Sequence, residues 1–378
     1  MDLNMTKEQS QLQTAMREFC QKYIEPIEPI LDREARFPYE EFRQLAEGGW
    51  LGLVVPEEFG GSDLDYLTYM LIIEEMSKYS ASICVNVSCH ASCQRLINLY
   101  CNQEIKRKYL PAMVAGKEIG ALCITEAGAG SDVAAMKSTA VRDGDTYVLN
   151  GHKTFISNGP QAGVLCFAAY TDISRPGKGI SMFLVPTELP GVRIGELYEK
   201  MGMRGSETSE IILENVRIPA SYLMGEENQG MKILLNGLDF GRTVVAVQSV
   251  GIAQAAMEEA INYVKIRVQF GKPIAENQGV QWLIAEMATE IEAARALTWQ
   301  AALKADQGKP FSKESSMAKY YASSMACKNV SRALQLHGGT GYVRGIKVER
   351  LARDVRVTEI YEGTNEIQHM IIAKYLLD

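Results

Sequence analysis

The most constraining feature of this sequence is a change of residue pattern that happens twice. Helical spacing of apolar residues runs to about Gly116, short β-type runs follow from Ile119, and long helical segments return after Gly225. No ten-residue helical pattern separates the β-type runs. A parallel sheet of βαβ units is therefore disfavoured, and the middle of the chain is predicted to form a compact antiparallel barrel or sandwich.

The fold class predicted is α+β, mostly α, in three packed units. A chain of 378 residues exceeds the size at which a single hydrophobic core keeps growing. We predict a helical N-terminal domain over residues 1–118, a β domain over 119–223 and a C-terminal four-helix bundle over 224–378. Long helices joined by short turns are typical of antiparallel bundles.

Local patterns predict most element boundaries. Thr6 and Gln9 form a capping box at the start of the first helix. Asp143-Gly144-Asp145 and Asn150-Gly151 are predicted as hairpin turns. The helices are predicted at 39–47, 64–78, 82–100, 103–114, 231–270, 278–307, 313–336 and after Asn365. The strands are predicted at 121–124, 140–142, 147–150, 153–156, 164–170, 180–184, 192–194 and 210–216.

Composition excludes several classes of protein. A formal net charge of −7 and a pI near 5.4 argue against a sequence-independent nucleic-acid binder. No run of about 18 uncharged apolar residues predicts a membrane span. The N-terminal residues include acids and lack an apolar core, so we expect no secretory signal and a cytoplasmic protein. The eight cysteines form no CxxC pair, and Cys89 and Cys93 have no second ligand pair, so we expect no metal centre.

A carboxylate near the C-terminus is the first candidate for chemistry. Glu362 lies between Tyr361 and Gly363, just before a predicted last helix. Asn365 is predicted to cap that helix, with Gln368 reaching back. A solvated glutamate before a turn is the alternative left open by this stretch alone.

Five other stretches combine glycines, hydroxyls, aromatic rings or opposite charges. Backbone N–H groups of a glycine-rich loop can approach a ligand closely, and arginine suits a pyrophosphate. The stretches are 125–132, 153–159, 267–278, 335–342 and the pair Asp239 and Arg242. Taken singly, each has an ordinary alternative: a strand crossover, core with a turn, a helix stop, or a solvated i,i+3 ion pair. The loop at 125–132 lacks the third glycine and the βαβ context of a Rossmann fingerprint.

Taken together and in order, these motifs resemble the acyl-CoA dehydrogenase family over the whole chain. The motifs are Ile124-Thr125-Glu126-x-Gly128-Ala129-Gly130-Ser131-Asp132, Phe155-Ile156-Ser157-Asn158-Gly159, Arg267-x-x-Phe270-Gly271-Lys272 with Gln278, Gln335-x-x-Gly338-Gly339-x-Gly341, and Asp354-x-x-Val357-x-x-Ile360-Tyr361-Glu362-Gly363-Thr364. The resemblance implies FAD as cofactor, a homotetramer built as a dimer of dimers, and electron-transfer flavoprotein as electron partner.

The resemblance also implies roles for individual residues. Contacts to the flavin are implied for Leu122, Ile124, Thr125, Gly130, Ser131, Phe155, Ile156 and Ser157. Contacts to the ADP half, partly from the neighbouring subunit, are implied for Arg267, Phe270, Gln278, Gln335, Gly338 and Gly339. Thr364 and Glu366 would close the cofactor site. Acyl-CoA would be contacted by Ser131, Asp239, Arg242, Tyr361 and Gly363.

The activity implied is α,β-desaturation of an acyl-CoA, with Glu362 removing the α-proton and the β-hydride passing to flavin N5. Some members of the family carry the base on the long bundle helix instead, but Gly241 stands at that position here. From Val85, Val87, Leu96 and Tyr361 we expect a short acyl pocket. The same site run as an acrylyl- or crotonyl-type enoyl-CoA reductase, or a catalytically silent flavoprotein scaffold, are the alternatives. An acyl-CoA oxidase is disfavoured.

Overall fold

The structure, a computed structural model, describes residues 5–378. The residues from which we expect no secretory signal begin before this range, so that expectation lies partly outside the described residues. The predicted capping box is confirmed: the Thr6 hydroxyl accepts from the Gln9 N–H at 3.1 Å, and the Thr6 N–H donates to Gln9 Oε1 at 3.0 Å. No helix among residues 5–378 is long and apolar enough to cross a membrane.

Six helices form the N-terminal part. They are α1 (Lys7–Phe19), continued by a π-helical turn to Ile24, α2 (Glu28–Glu34), α3 (Tyr39–Glu47), α4 (Tyr66–Ser77), α5 (Ala81–Tyr100) and α6 (Gln103–Val114). The bounds of α3 and α6 match the prediction, whereas α2 was not predicted. Helices α4 and α5 are buried on nearly all sides, which explains their almost continuous apolar composition.

The middle part is one eight-stranded sheet. Its strands are β1 (Gly120–Cys123), β2 (Thr139–Asp143), β3 (Thr146–Ser157), β4 (Val164–Tyr170), β5 (Ile180–Pro186), β6 (Val192–Leu197), β7 (Thr208–Pro219) and β8 (Leu223–Met224). The order is β6-β7-β3-β2-β4-β5-β8, with β1 also paired to β4. Most pairs are antiparallel as predicted, but β1 and β2 each pair parallel with β4.

One predicted hairpin turn is wrong. Residues 147–150 and 153–156 belong to the single strand β3, and Asn150-Gly151 lies within it at a shift of register against β7. A Cβ at Gly151 would lie 2.7 Å from Cβ of Ser138, so glycine is required there by close packing across the sheet. The turn at Asp143-Gly144-Asp145 does join β2 to β3 as predicted.

Long helices make up the C-terminal part. They are α7 (Gly230–Ile266), α8 (Gln278–Asp306), α9 (Ser312–His337), α10 (Lys347–Asp354) and α11 (Asn365–Leu377), with a small hairpin of β9 (Val268–Gln269) and β10 (Lys272–Pro273) between α7 and α8. The prediction extended the first of these helices to Phe270, but it ends at Ile266 and the chain turns into the hairpin. Helix α7 packs against α4, α5, α8, α9 and α10, so its middle is surrounded by protein.

Candidate active site

The turn that carries Glu362 is held in an unusual backbone conformation. Glu362 has φ +54° and Gly363 has φ +86°. A residue other than glycine rarely adopts positive φ, and such strain persists only where the surroundings hold it in place. Here Gln368 Nε2 donates to the carbonyl oxygens of Glu362 at 3.3 Å and of Gly363 at 2.9 Å. The side chain reaching back from α11 thus fixes both carbonyls of the turn.

The predicted cap of α11 is wrong by one residue. Thr364, not Asn365, precedes the helix, and its hydroxyl accepts from the Ile367 N–H at 3.4 Å. Asn365 is the first helical residue, and its buried side chain points to α9, where it bonds Lys319, Ser323 and Ser324. Because a buried amide needs partners, that network takes Asn365 away from the capping role. Glu366 is exposed beside it.

The carboxyl group of Glu362 lies against the middle of α7. A Cβ built at Gly241 would lie 2.8 Å from Cδ of Glu362, so only glycine leaves room for the carboxyl group. Burial raises the pKa of Glu362 above its usual range, and the positive charges of Arg242 and Lys319 only partly oppose this effect. Within residues 5–378 the carboxylate has no hydrogen-bond donor or salt-bridge partner. It is therefore available to take up a proton.

Asp239 and Arg242 are buried rather than solvated, so the surface ion-pair alternative is wrong. Arg242 Nη1 donates to Asp239 Oδ1 at 2.7 Å, and the Ser312 hydroxyl bonds the other oxygen of Asp239. Both residues lie in the part of α7 that is covered on all sides. The Nε of Arg242 is buried without a partner among the described residues, which leaves a donor beside the carboxyl group of Glu362.

Tyr361 is packed inward, next to Glu362 in the same turn. Its hydroxyl donates to Gln248 Oε1 on α7, and Gln248 Nε2 donates to the carbonyl of Ala81 at 3.0 Å. Burial raises the pKa of Tyr361 well above its usual range, so the phenol stays neutral. These hydrogen bonds hold the side chains of Tyr361 and Gln248 in place between α7 and the start of α5.

Helix α5 approaches the site through Cys89, which the sequence analysis considered only as a metal ligand. The half-buried Cys89 packs with Val85 and Tyr361 in the core around α7 and α9, whereas Val87 and Leu96 pack in two other cores. Val87 and Leu96, two of the residues from which we expect a short acyl pocket, thus pack in cores other than that of Tyr361, and the short pocket stays a prediction. Burial raises the pKa of Cys89 to about 12, with a further contribution from the charge of Glu362, whereas the Ser157 hydroxyl acts to lower it. The i,i+4 spacing of Val85 and Cys89 was the one available signal.

The glycine-rich loop and the end of β3 are held together. The Thr154 N–H donates to the carbonyl of Thr125 at 2.9 Å, and Lys153 Nζ donates to the carbonyl of Ile124 at 3.0 Å and to Glu126 Oε1 at 2.8 Å. This joins the predicted flavin contacts of the two motifs into one surface. They are Leu122, Ile124, Thr125, Gly130, Ser131, Phe155, Ile156 and Ser157, of which Ile156 has its side chain buried in the core of the sheet. Cys89 connects this surface to Glu362.

The surface fits a flat, polar-edged ring system such as a flavin. A Cβ at Gly130 would meet nothing within 4 Å, so the backbone there is open to a ligand. Phe155 has φ +57°, is largely exposed and stacks on Tyr198 at 4.6 Å. The exposed aromatic ring and the open backbone at Gly130 match the face and the polar edge of an isoalloxazine.

The structure places the predicted ADP contacts elsewhere. Tyr263 near the end of α7 stacks on His337 at the end of α9, with ring centroids 4.4 Å apart. Around this end of the bundle lie, all exposed, Arg267, Phe270, Gln278, Gln335, Gly338 and Gly339. Arg267 and Phe270 were predicted on a helix, but they lie beyond it, and Phe270 has φ +51° in the hairpin turn. At 1.5 Å per residue, Tyr263 lies about 33 Å along α7 from Gly241.

All eight cysteines are free thiols, six of them buried. Within residues 5–378 no group of three or more His, Cys, Asp or Glu side chains is placed to hold a metal ion.

Three family patterns match consecutive parts of the chain. They are described as the acyl-CoA dehydrogenase N-terminal domain over residues 6–117, middle domain over 121–216 and C-terminal domain over 228–377. Together they span nearly the entire sequence.

Relatives match over the full length. An acryloyl-CoA reductase (NADH) of Anaerotignum propionicum is 45% identical, and the alignment covers 100% of this chain and 96% of the relative. Butyryl-CoA dehydrogenase of Megasphaera elsdenii superposes with a TM-score of 0.98 at 38% identity, covering all of both chains. A chain from a study of the electron transferring flavoprotein of Acidaminococcus fermentans and flavin-based electron bifurcation superposes with a TM-score of 0.98 at 39% identity, again covering both chains.

Proposed function

Because the chain belongs to the acyl-CoA dehydrogenase family, a family of flavin-dependent oxidoreductases that use FAD, we propose that it desaturates a short-chain acyl-CoA with Glu362 as the base. The observation that carries the assignment is the position of the Glu362 carboxyl group. It lies against Gly241, its pKa is raised mainly by burial, and no donor among residues 5–378 binds it. A carboxylate in this state is a stronger base than a solvated one.

The turn supplies the second requirement of the reaction. The α-proton of a thioester is too weakly acidic for a carboxylate unless the thioester carbonyl is polarised. The backbone N–H of Glu362 donates to no acceptor within residues 5–378, and the positive φ of Glu362 and Gly363 keeps the backbone accessible. We assign this N–H to the thioester carbonyl. FAD, when bound, supplies the acceptor for the β-hydride.

Other residues orient the two ligands. The joined surface of residues 122–131 and 155–157 holds the flavin ring, with Thr364 and Glu366 closing it. Asp239, Arg242, Tyr361, Gly363 and Ser131 contact the acyl-CoA. The hydrogen-bonded Tyr361 and Gln248 give the acyl pocket a fixed wall, which supports a short chain. Higher specificity for octanoyl-CoA than for butyryl-CoA would contradict this part of the proposal.

The experiment that tests the proposal is anaerobic bleaching of the flavin absorbance by a panel of acyl-CoA thioesters, in wild type and in Glu362→Gln. The amide keeps the size of the side chain but cannot take the proton. We expect bound FAD to be retained and the bleaching rate to fall by about 1,000-fold or more. Near-normal bleaching by Glu362→Gln would overturn the assignment of the base. Wild-type protein that is yellow but is bleached by none of the thioesters would favour the silent scaffold.

The same site run as an enoyl-CoA reductase is the second candidate. It is supported by the acryloyl-CoA reductase relative at 45% identity. Proton and hydride additions retrace the same path, so Glu362 would then return the proton. Reoxidation of pre-reduced protein by acryloyl-CoA or crotonyl-CoA, compared with bleaching by the saturated thioesters, measures which direction is faster.

Electron-transfer flavoprotein is the partner proposed, supported by the structural likeness to the chain from the electron-bifurcation study. Whether the partner is an ordinary or a bifurcating electron-transfer flavoprotein is tested by supplying each kind to the reduced enzyme.

We also propose a cytoplasmic homotetramer. The ADP contacts lie around the end of α7, where Tyr263 is about 33 Å along the helix from Gly241, so we assign this set to the flavin of a second copy. Phe270, fully exposed in the single chain, would be covered there. The domain limits at 118 and 223 stay predictions.

A further inference from the structure

A buried lysine lies beneath the turn that carries Glu362. Lys319 on α9 is fully buried, and its Nζ donates to Asn365 Oδ1 at 2.9 Å. Ser323 donates to the same oxygen at 3.0 Å, and Asn365 Nδ2 donates to Ser324 Oγ at 3.0 Å. Asn365 follows Glu362 by three residues, so this network ties the turn to α9.

The charge of Lys319 has no close counter-ion. Within residues 5–378 no carboxylate lies within salt-bridge distance of its Nζ, although burying an unpaired ammonium is costly. The carboxylates that act on it are Glu362, Glu359 and Glu366, with Glu362 the strongest of the three. Burial lowers the pKa of Lys319 to about 8, and Glu362 opposes that decrease. The charge of Glu362 therefore favours the ammonium form of Lys319.

The other groups around Glu362 include one further cation. Cys89 from α5 stays neutral because its pKa is raised to about 12, and Tyr361 in the same turn stays neutral as well. Arg242 from α7 is positive and, although Asp239 lies 2.7 Å from it, its charge lowers the pKa of Glu362 more than the charge of Lys319 does. Among these groups, Lys319 is the one cation without a paired carboxylate.

We propose that Lys319 is a positioning residue: it holds the Glu362 turn through Asn365, and it adds to the surroundings of the base a buried positive charge that has no paired carboxylate among residues 5–378. The proposal rests on Glu362 being the base. Without a balancing cation, the surroundings that raise the pKa of Glu362 would leave more of it protonated, and a protonated carboxyl group cannot accept the α-proton.

Two substitutions separate the charge from the hydrogen bond. Lys319→Gln keeps a donor for Asn365 and loses the charge, whereas Lys319→Met loses both. Lys328→Met, on the same helix but exposed and paired with Glu290, is the control. We measure the rate of anaerobic flavin bleaching by butyryl-CoA as a function of pH. Lys319→Gln should move the acidic midpoint up by about one pH unit, which is about a tenfold slower rate on the acidic side.

The midpoint in Lys319→Gln decides the proposal. A wild-type midpoint in that variant would overturn it and leave Lys319 with a hydrogen-bonding role alone. A similar shift in Lys328→Met would also overturn it, since a general change of charge would then suffice. If Lys319→Met loses its FAD or unfolds, Lys319→Gln still gives the answer.

A second readout does not depend on turnover. The infrared band of the protonated Glu362 carboxyl group, assigned by its absence in Glu362→Gln, is titrated in wild type and in Lys319→Gln. The same upward shift is expected, and an unchanged titration would contradict the proposal. If no acyl-CoA bleaches the wild-type flavin, the proposed function fails, whereas this titration still tests the influence of Lys319.

Discussion

Glu126 and Glu362 are both carboxylates enclosed by protein, yet their surroundings are opposite. Glu126 accepts four hydrogen bonds: from Lys153 Nζ at 2.8 Å, from the Ser138 hydroxyl and N–H at 2.5 and 3.0 Å, and from the Lys137 N–H at 2.6 Å. Glu362 accepts none on its carboxylate within residues 5–378. The hydrogen-bonded carboxylate of Glu126 is part of the structure of the β domain, whereas the carboxylate of Glu362 is free to accept a proton.

The two environments shift acidity in opposite directions. Burial acts to raise the pKa of Glu126, but the charge of Lys153 and the hydrogen bonds outweigh it, so the pKa lies below its usual range. For Glu362 burial prevails over the charges of Arg242 and Lys319, so the pKa lies above its usual range. Hydrogen-bond satisfaction, rather than burial alone, thus distinguishes a structural carboxylate from a candidate base.

The largest effect we predict comes from breaking the pair at Glu126. Lys153→Met leaves a buried carboxylate without its cation, and we expect the free energy of unfolding to fall by about 3 kcal/mol. Chemical denaturation measures this. The control is Glu126→Gln/Lys153→Met, in which no unpaired charge remains and part of the loss should be recovered. A loss below about 1 kcal/mol for Lys153→Met would show that the remaining donors satisfy Glu126 without the lysine.

The sequence predicted the elements whose ends carry local signals. Helices α3 and α6 were predicted with correct bounds, because residues that end or cap helices flank them: Pro38, Gly48 and Asn102. The parallel pairing of β1 with β4 was not predicted. Alternation along a strand says which residues share a face but not in which direction a distant partner runs.

In the candidate site, too, local sequence signals identify some residues, whereas others depend on partners far along the chain. Glu362 could be selected as the candidate base because it belongs to a motif of adjacent residues, whereas Gln248, Cys89 and Lys319 could not be placed near it from the sequence. Each of these three is a polar or thiol side chain within an apolar helix, with partners on other helices far along the chain. Asn365 was assigned to a cap for the same reason, since its partners on α9 are visible only in the fold.

The second prediction is that a larger residue at Gly241 displaces the carboxyl group of Glu362 without changing Glu126. In Gly241→Ala the new Cβ would lie 2.8 Å from Cδ of Glu362, so the carboxyl group must move. We expect the rate of flavin bleaching to fall by about 10- to 100-fold, since a displacement of about 1 Å has that effect on positioned groups. Stability should not fall, because alanine favours a helix over glycine. Rapid-mixing kinetics and thermal unfolding measure the two quantities.

The matched control lies one turn earlier on the same helix. A Cβ at Gly237 would lie 3.5 Å from the nearest atom, Cδ2 of Leu96, which is ordinary contact. Gly237→Ala should therefore keep the wild-type bleaching rate. Equal losses in both variants would attribute the effect to α7 as a whole instead of to the contact between Gly241 and Glu362.

The smallest predicted effect is on stability, and its sign distinguishes the two carboxylates. Because folding raises the pKa of Glu362, the ionised form opposes folding at neutral pH, whereas both states are protonated below the unfolded pKa of about 4.3. Glu362→Gln should raise Tm slightly at pH 7, by about 1 °C, and the gain should vanish toward pH 4.

Folding lowers the pKa of Glu126, so its stabilisation is present above the unfolded pKa and is lost as pH falls through the folded one. Glu126→Gln should therefore lower Tm at pH 7, with a penalty that shrinks below pH 4. Thermal unfolding from about pH 3 to pH 8 measures both, and a decrease of Tm for Glu362→Gln at pH 7 would mean that its carboxylate is satisfied after all.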